Sequence, residues 1–174
     1  MNVLLIATNN PGKVIELQAL LGILDLKLVT PAEIGIDLDV EETGSTYAEN
    51  AALKAVAFGQ ASGLLTLADD SGLEVDSLDG EPGLHSRRYS PVPGATDADR
   101  RQYLLAHLAS KPRPWTARFR CSIAILESEQ AHSSTPHIYY AEGTCPGEII
   151  PEERGENGFG YDPIFLLSEL KKTM

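Results

Sequence analysis

Basic residues are scarce in this chain and never stand in more than adjacent pairs. Its 14 Lys and Arg face 25 Asp and Glu, a formal charge of −11 over 174 residues, with a pI near 4.7. That balance argues against a sequence-independent grip on DNA or RNA, which depends on Lys and Arg neutralising phosphates. A small anionic ligand is still compatible with it, provided a metal ion or a few local lysines offset the field. Cysteine is rarer still. Cys121 and Cys145 have no metal-ligand spacing and read as buried thiols in a reducing compartment. The four histidines (His85, His107, His132 and His137) show no ligand-like grouping. The opening MNVLLIATNN has no basic flank, and its apolar stretch is too short for a signal peptide or membrane span, so a cytoplasmic setting without a membrane partner is expected. Repeats, low-complexity tracts and interdomain linkers are missing. So is a GxSxG elbow, since Ser71 follows an aspartate. Hydrophobic content of 43% and charged content of 22% are those of an ordinary globular protein, and the length suits one domain over residues 1–174 with a sizeable core.

What is present reads as a βα start followed by longer strands. NVLLIA at 2–7 is a short apolar strand stopped by TNNPG, and 13–21 carries Val14, Leu17, Leu20 and Leu21 at helical spacing. LKLVT at 26–30 alternates as a second strand, and 31–44 is turn-rich and acidic. Thr46 with Glu49 has capping-box spacing before a helix that Gly63 should stop. LLTLAD at 64–69 is strand-like. Thr96 opens a second, weaker helix start that runs to about Ala109. WTARFRCSIAILE at 115–127 predicts a half-buried strand, with Ala117, Phe119, Cys121, Ile123 and Ile125 on one face and Arg118, Arg120 and Ser122 on the other. HIYYAEG and GEII look like its neighbours. The mixture predicts an α/β fold with a mixed sheet.

Four stretches could carry chemistry. In ATNNPGK (7–13) a strand ends, a polar turn follows and Lys13 opens a helix, which is a natural anion site, although without Walker A spacing it is also an ordinary βα turn. In EETGSTYAENAALKA (41–55), Lys54 shares a helix face with Tyr47, Asn50 or Ala51, and Phe58; the bland alternative is a snorkelling lysine behind a solvated acidic loop. In LADDSGL, Asp69 and Asp70 stand at the expected end of a strand, where alternation points them to opposite sides. A carboxylate pair from two segments, such as Glu41 and one of these aspartates, would suit oxygen-liking Mg²⁺, while the simpler alternative is an Asp-rich turn. In ENGFGYDPIF (156–165), Phe159 between two glycines could stack on a base or be a core aromatic beside a tight turn.

In this order along one chain, the four stretches resemble the inosine triphosphate pyrophosphatase family, which hydrolyses non-canonical purine nucleoside triphosphates. The resemblance rests on Thr8-x-Asn10-x-x-Lys13, EETGSTYAENAALKA, LADDSGLEVDSLDGEPGLHSRRY and GFGYDPIF, and covers residues 1–173 nearly end to end. It implies that the turn of Thr8, Asn9, Asn10, Pro11, Gly12 and Lys13 holds the triphosphate, with Lys54 adding a phosphate contact. Glu41 and Asp70 would hold Mg²⁺, Asp70 also acting as the base for the attacking water, and Ser71 would touch the substrate. Phe159, Gly160, Tyr161 and Asp162 would form the purine side, and Lys172 would reach the base. The implied subunit is an elongated two-lobed α/β body with its cleft between lobes, usually in a homodimer, and the reaction yields a monophosphate and pyrophosphate. Asp69 and Glu42 are substitutes for Asp70 and Glu41 at the metal.

One departure accompanies the resemblance. Family chains run on past the Lys-Thr pair into an acidic helix and a Ser-His-Arg motif that reads the purine 6-oxo group, whereas this sequence ends at Met174. The expectation is a complete hydrolytic half with weakened base discrimination. A relative that binds nucleotide with little or no turnover is the alternative. A phosphatase with a covalent aspartyl nucleophile fits less well, because the first strand ends without a carboxylate.

Overall fold

A computed structural model describes residues 2–174. Its chain divides into two compact units, each assembled from two segments. One comprises residues up to Asp70 and Cys121–Glu142, the other Ser71–Arg120 and Gly143–Met174.

In the first unit, strand β1 (Asn2–Ile6) leads through Asn10 into helix α1 (Pro11–Leu21), and β2 (Leu26–Val29) returns parallel to β1. Pro11 suits the helix start because the first turn has no use for its missing N–H. None of the α1 residues is buried; Ile15 and Leu20 are about two-thirds exposed, at 68% and 70%. Helix α2 (Tyr47–Ser62) ends on left-handed Gly63, as its sequence predicts. Its start differs from a closed capping box. Thr46 accepts from the Glu49 N–H, but the Glu49 carboxylate reaches one residue further back, to the N–H and hydroxyl of Ser45. Ala51, Ala55 and Phe58 of α2 pack with Leu5, Ala7, Val29, Ala68, Ala124 and Leu126 to form this unit's core.

Strand β3 (Leu65–Val75) pairs parallel with β1 and corrects the expectation that a strand stops at Asp69. It runs through Asp69, Asp70, Ser71 and Gly72, because both carboxylates are matched by lysines and the Leu73 N–H finds the Ser86 hydroxyl at 2.9 Å. Thr66 to Asp70 are all buried, so the strand is covered on both faces there.

In the second unit, helix α3 (Asp97–Leu108) follows a run of tight helical turns at Gly83–Arg88. Strand β4 (Trp115–Leu126) enters this unit and finishes in the first. Its expected single buried face is corrected: Trp115 and Ala117 are buried in one half, but Ser122, Ala124 and Leu126 in the other. Buried positions change from odd to even because each half serves a different core. The two expected neighbours are one strand, β5 (Ile138–Ile149), followed by antiparallel β6 (Phe165–Leu167) and β7 (Lys172–Thr173). Among the described residues the strands hydrogen-bond in the order β2-β1-β3-β4-β5-β6-β7, a mixed sheet in an α/β protein. Leu73, Leu104, Leu108, Ile149, Ile164 and Phe165 fill the second core. The cysteines are free and half-buried rather than fully buried. No helix among the described residues is long and apolar enough to cross a membrane.

The helix start at Thr96, the weaker of the two by sequence, is the one with a closed capping box: Thr96 and Asp99 exchange side-chain bonds with each other's backbone N–H. These bonds from Thr96 hold the Asp99 carboxyl below its ordinary range. A depressed folded-state value means the stabilisation is full above the unfolded value and is lost as pH falls through the folded one. Asp99→Ala is therefore expected to lower the melting temperature at neutral pH, with the gap to the parent chain closing in acid. Thermal melts from pH 7 to pH 2 check this, and a gap that widens in acid contradicts it.

Candidate active site

The first unit's polar residues gather around the middle of β3. Asp69 and Asp70 are neighbours on the strand and leave it on opposite sides. Asp69 meets Lys13, from the first turn of α1, at 2.6 Å. Asp70 meets Lys54, two turns into α2, at 3.3 Å, and accepts from the Asn50 amide at 3.2 Å. Lys54 also binds Glu42 at 2.9 Å. Four of these side chains are 16% exposed or less, with Glu42 at 29%.

Burial explains the protonation chemistry. Asp70 is pushed above its ordinary value, first by desolvation, with Lys54 pulling against that and Glu42 adding to it. For Lys54, burial alone would favour the neutral amine, yet Asp70 and Glu42 outweigh it and the ammonium is held more tightly than usual. Asp70 also feels Lys13, and Lys54 feels Asp69, so the two pairs act as one electrostatic unit. Cys121, on β4, lies within this field; desolvation and the Asp69 charge push its thiol up to about 11, which keeps it protonated and unreactive at neutral pH.

The turn before α1 is ordered by its own side chains. Asn10 accepts from the N–H groups of Gly12 and Lys13, Thr8 accepts from the Asn10 N–H, and the Asn9 amide donates to the Leu38 carbonyl. Asn10 thus occupies the amides that the sequence offers to an anion. The Lys13 ammonium, on Asp69, and the Thr8 hydroxyl are further polar groups of the turn.

Among the described residues, no group of three or more His, Cys, Asp or Glu side chains is close enough to hold a metal ion by protein alone. The chemistry of the donors still fits a hard divalent cation, because all are carboxylate oxygens. The Asp69 Oδ1 is buried without a hydrogen-bond partner. A cation that takes one or two protein carboxylates and fills its remaining positions with phosphate oxygens and water needs no larger protein cage. Of the two adjacent glutamates, the structure holds Glu42 on Lys54, while Glu41 is exposed.

The sequence does not single out Asn50 for the site. Its carbonyl oxygen accepts from the Gly44 N–H at 2.8 Å while its amide reaches Asp70, so it ties the acidic loop to the strand. Its position four residues before Lys54, on the same helix face, was the available signal.

The other expected residues lie in the second unit. Ser71 is half-buried on β3, and Lys172 is exposed on β7. Phe159 and Gly160 are half-buried, Tyr161 and Asp162 buried. The Asp162 carboxylate accepts from the Phe159 N–H at 2.8 Å, and Tyr161 donates to the Ser86 carbonyl at 2.9 Å. Gly158 is obligatory here: at φ +85° a Cβ would meet the Asp162 carboxylate oxygen at 2.6 Å. Burial raises both the Asp162 carboxyl and the Tyr161 phenol above their ordinary values.

This is an α/β protein in which two lysine–carboxylate pairs, Lys13–Asp69 and Lys54–Asp70, flank the middle of β3. Residues 4–174 match the family model described as the Ham1 family, and the chain belongs to that family. It is 46% identical over 171 residues to a dITP/XTP pyrophosphatase of Desulforamulus reducens, covering 98% of this chain and 82% of the relative. A protein of the same name from Bacillus subtilis is 40% identical, with 98% and 83% covered. The solved HAM1 protein of Coxiella burnetii superposes with a TM-score of 0.82 at 41% identity, covering 99% of this chain and 85% of that one.

Proposed function

We propose that this chain hydrolyses non-canonical purine nucleoside triphosphates, of the dITP and XTP kind, to the monophosphate and pyrophosphate. The observation that carries the reading is the double pair on β3, Lys13 with Asp69 and Lys54 with Asp70, with Glu42 also on Lys54. Relatives at 40–46% identity bear the corresponding name.

In this reading Asp70 is the base. A carboxylate whose proton affinity is raised by burial is better matched to taking a proton from water than an exposed one. Water attacks the α-phosphorus, its proton passes to Asp70, and the bond from the α-phosphorus to the bridging oxygen breaks as pyrophosphate leaves. Lys13 and Lys54 offset the triphosphate charge at fixed points, so no solvent reorganisation is needed as charge shifts to the leaving group. Asn50 holds the Asp70 carboxylate in orientation. Asp70 with Glu41, or Asp69 and Glu42 as their substitutes, would hold the divalent cation, for which we propose Mg²⁺. When bound, that cation neutralises phosphate oxygens and steadies the departing pyrophosphate.

Thr8, Asn9, Asn10, Pro11, Gly12 and Ser71 are assigned to the phosphate end, and Phe159, Gly160, Tyr161, Asp162 and Lys172 to the base. We further propose that residues 1–174 work as one catalytic domain, as a cytoplasmic homodimer. Its partner is a small nucleotide and not nucleic acid or membrane, in keeping with a net charge of −11. The test is pyrophosphate release from ITP, dITP, XTP, dGTP and ATP with Mg²⁺. Release from ITP, dITP and XTP well above ATP is expected. Folded protein that releases none from any of them overturns the reading in favour of nucleotide binding without turnover.

A further inference from the structure

The first turn of α3 does more than start a helix. Asp97, its first residue, accepts the Gly160 N–H at 2.8 Å, and Arg101, one turn on, donates to the Gly160 carbonyl at 2.8 Å. Both polar groups of one glycine are thus gripped by one helix turn, from 63 and 59 residues away in sequence. Arg101 is itself fixed: its Nε and second terminal nitrogen form a fork on the two oxygens of Glu153, at 2.9 and 3.0 Å. Its side chain is only 12% exposed. Asp97 is steadied by Arg100, which also donates to the Ala95 carbonyl.

Gly160 has φ +58°, and gripping its N–H and its C=O fixes the chain on both sides of its Cα. Phe159 lies on one side and Tyr161 on the other. With the Asp162 carboxylate closing onto the Phe159 N–H, the loop can neither rotate about Gly160 nor splay at Gly158 without breaking a charged hydrogen bond. A flexible Gly-Phe-Gly segment has thereby been made rigid by residues that lie outside it.

We infer that Asp97 and Arg101 are positioning residues for base recognition, setting the affinity and the purine preference of the enzyme by holding residues 159 to 162 in one geometry. The inference rests on the reading of those residues as the base contact. Neither side chain touches substrate; they remove the entropy cost of ordering an aromatic loop at the moment of binding. Loss of the latch costs binding that is equal in ground and transition states, so it raises KM and leaves kcat.

The variants are Arg101→Ala and Asp97→Ala, with Arg101→Lys and Asp97→Asn as conservative partners that keep a donor and an acceptor. Asp99→Ala is the control, because it breaks the cap in the same helix turn but not the latch. Both alanine variants are expected to speed amide exchange at Gly160 and raise KM for ITP on the order of tenfold. kcat should stay within about twofold, and the ITP over ATP preference should fall. Arg101→Lys and Asp97→Asn should recover most of the loss, and Asp99→Ala should shift the melting temperature alone. Faster exchange at Gly160 with KM and preference unchanged overturns the inference, as does an Asp99→Ala enzyme whose KM rises equally. Amide exchange with inosine monophosphate added separates this from the proposed activity. Protection of residues 159 to 162 in the parent chain, lost in the alanine variants, supports the latch even where no pyrophosphate is released. Absence of that protection in the parent overturns it.

Discussion

Asp70→Asn is expected to lower pyrophosphate release from ITP by about a thousandfold, the range for removing a positioned general base. The substitution is nearly isosteric, and an amide oxygen can still accept from Asn50 or Lys54. It also removes a charge that burial disfavours. The raised folded-state value of Asp70 means that its ionised form costs stability above that value, and the neutral amide escapes the cost. Lys54 retains Glu42 as a counter-ion. The melting temperature should therefore change little, within the effect of about 0.5 kcal/mol typical of benign substitutions. Stopped assays with a thermal melt on the same preparation separate the outcomes. Rates near those of the parent chain would sink the assignment of Asp70 as base, and Asp69→Asn would then be the next variant to measure.

The second large effect is on stability as well as turnover. Lys13→Met strips the counter-ion from Asp69, whose side chain is 7% exposed and already has one oxygen without a partner. Breaking one side of a buried pair costs about 3 kcal/mol, since the surviving charge has neither water nor partner. In a chain of this length that corresponds to a fall on the order of 10 °C in melting temperature. Removing both charges together, in Lys13→Met/Asp69→Leu, should return most of the lost stability, because buried ion pairs rarely outdo apolar contacts of similar size. Activity should not return with it, because the phosphate would still lack its ammonium. A Lys13→Met protein that melts with the parent chain would show that the pair is solvated in practice and not a buried unit.

The same comparison explains why the DDSG stretch misleads as sequence. Two aspartates, a serine and a glycine have turn chemistry, so a strand ending at Asp69 is the natural expectation. The chain instead stays extended to Val75. What overrides the local preference is the arrival of Lys13 and Lys54 from two different helices, one on each side of the strand. Likewise β4 alternates cleanly along its whole length, yet it buries one parity beside Trp115 and the other beside Leu126. Alternation reports that a strand has two faces, and which of them is covered depends on which core each half meets.

The sequence by itself determined the α/β class, the helices at α2 and α3 with their Thr caps, and the handful of charged and glycine-framed stretches where chemistry could lie. Those are short-range properties: a capping threonine, a helical stripe and an apolar run act on neighbours within a turn or two. Only the tertiary structure decided that Lys13 takes Asp69 while Lys54 takes Asp70, that Glu42 and not Glu41 closes onto Lys54, that the Asn50 amide reaches Asp70, and that Asp97 and Arg101 lock Gly160. Each of these joins residues 12 to 63 positions apart. A buried charge is stable only beside the partner that chain topology delivers to it, and periodicity along the sequence carries no record of that delivery.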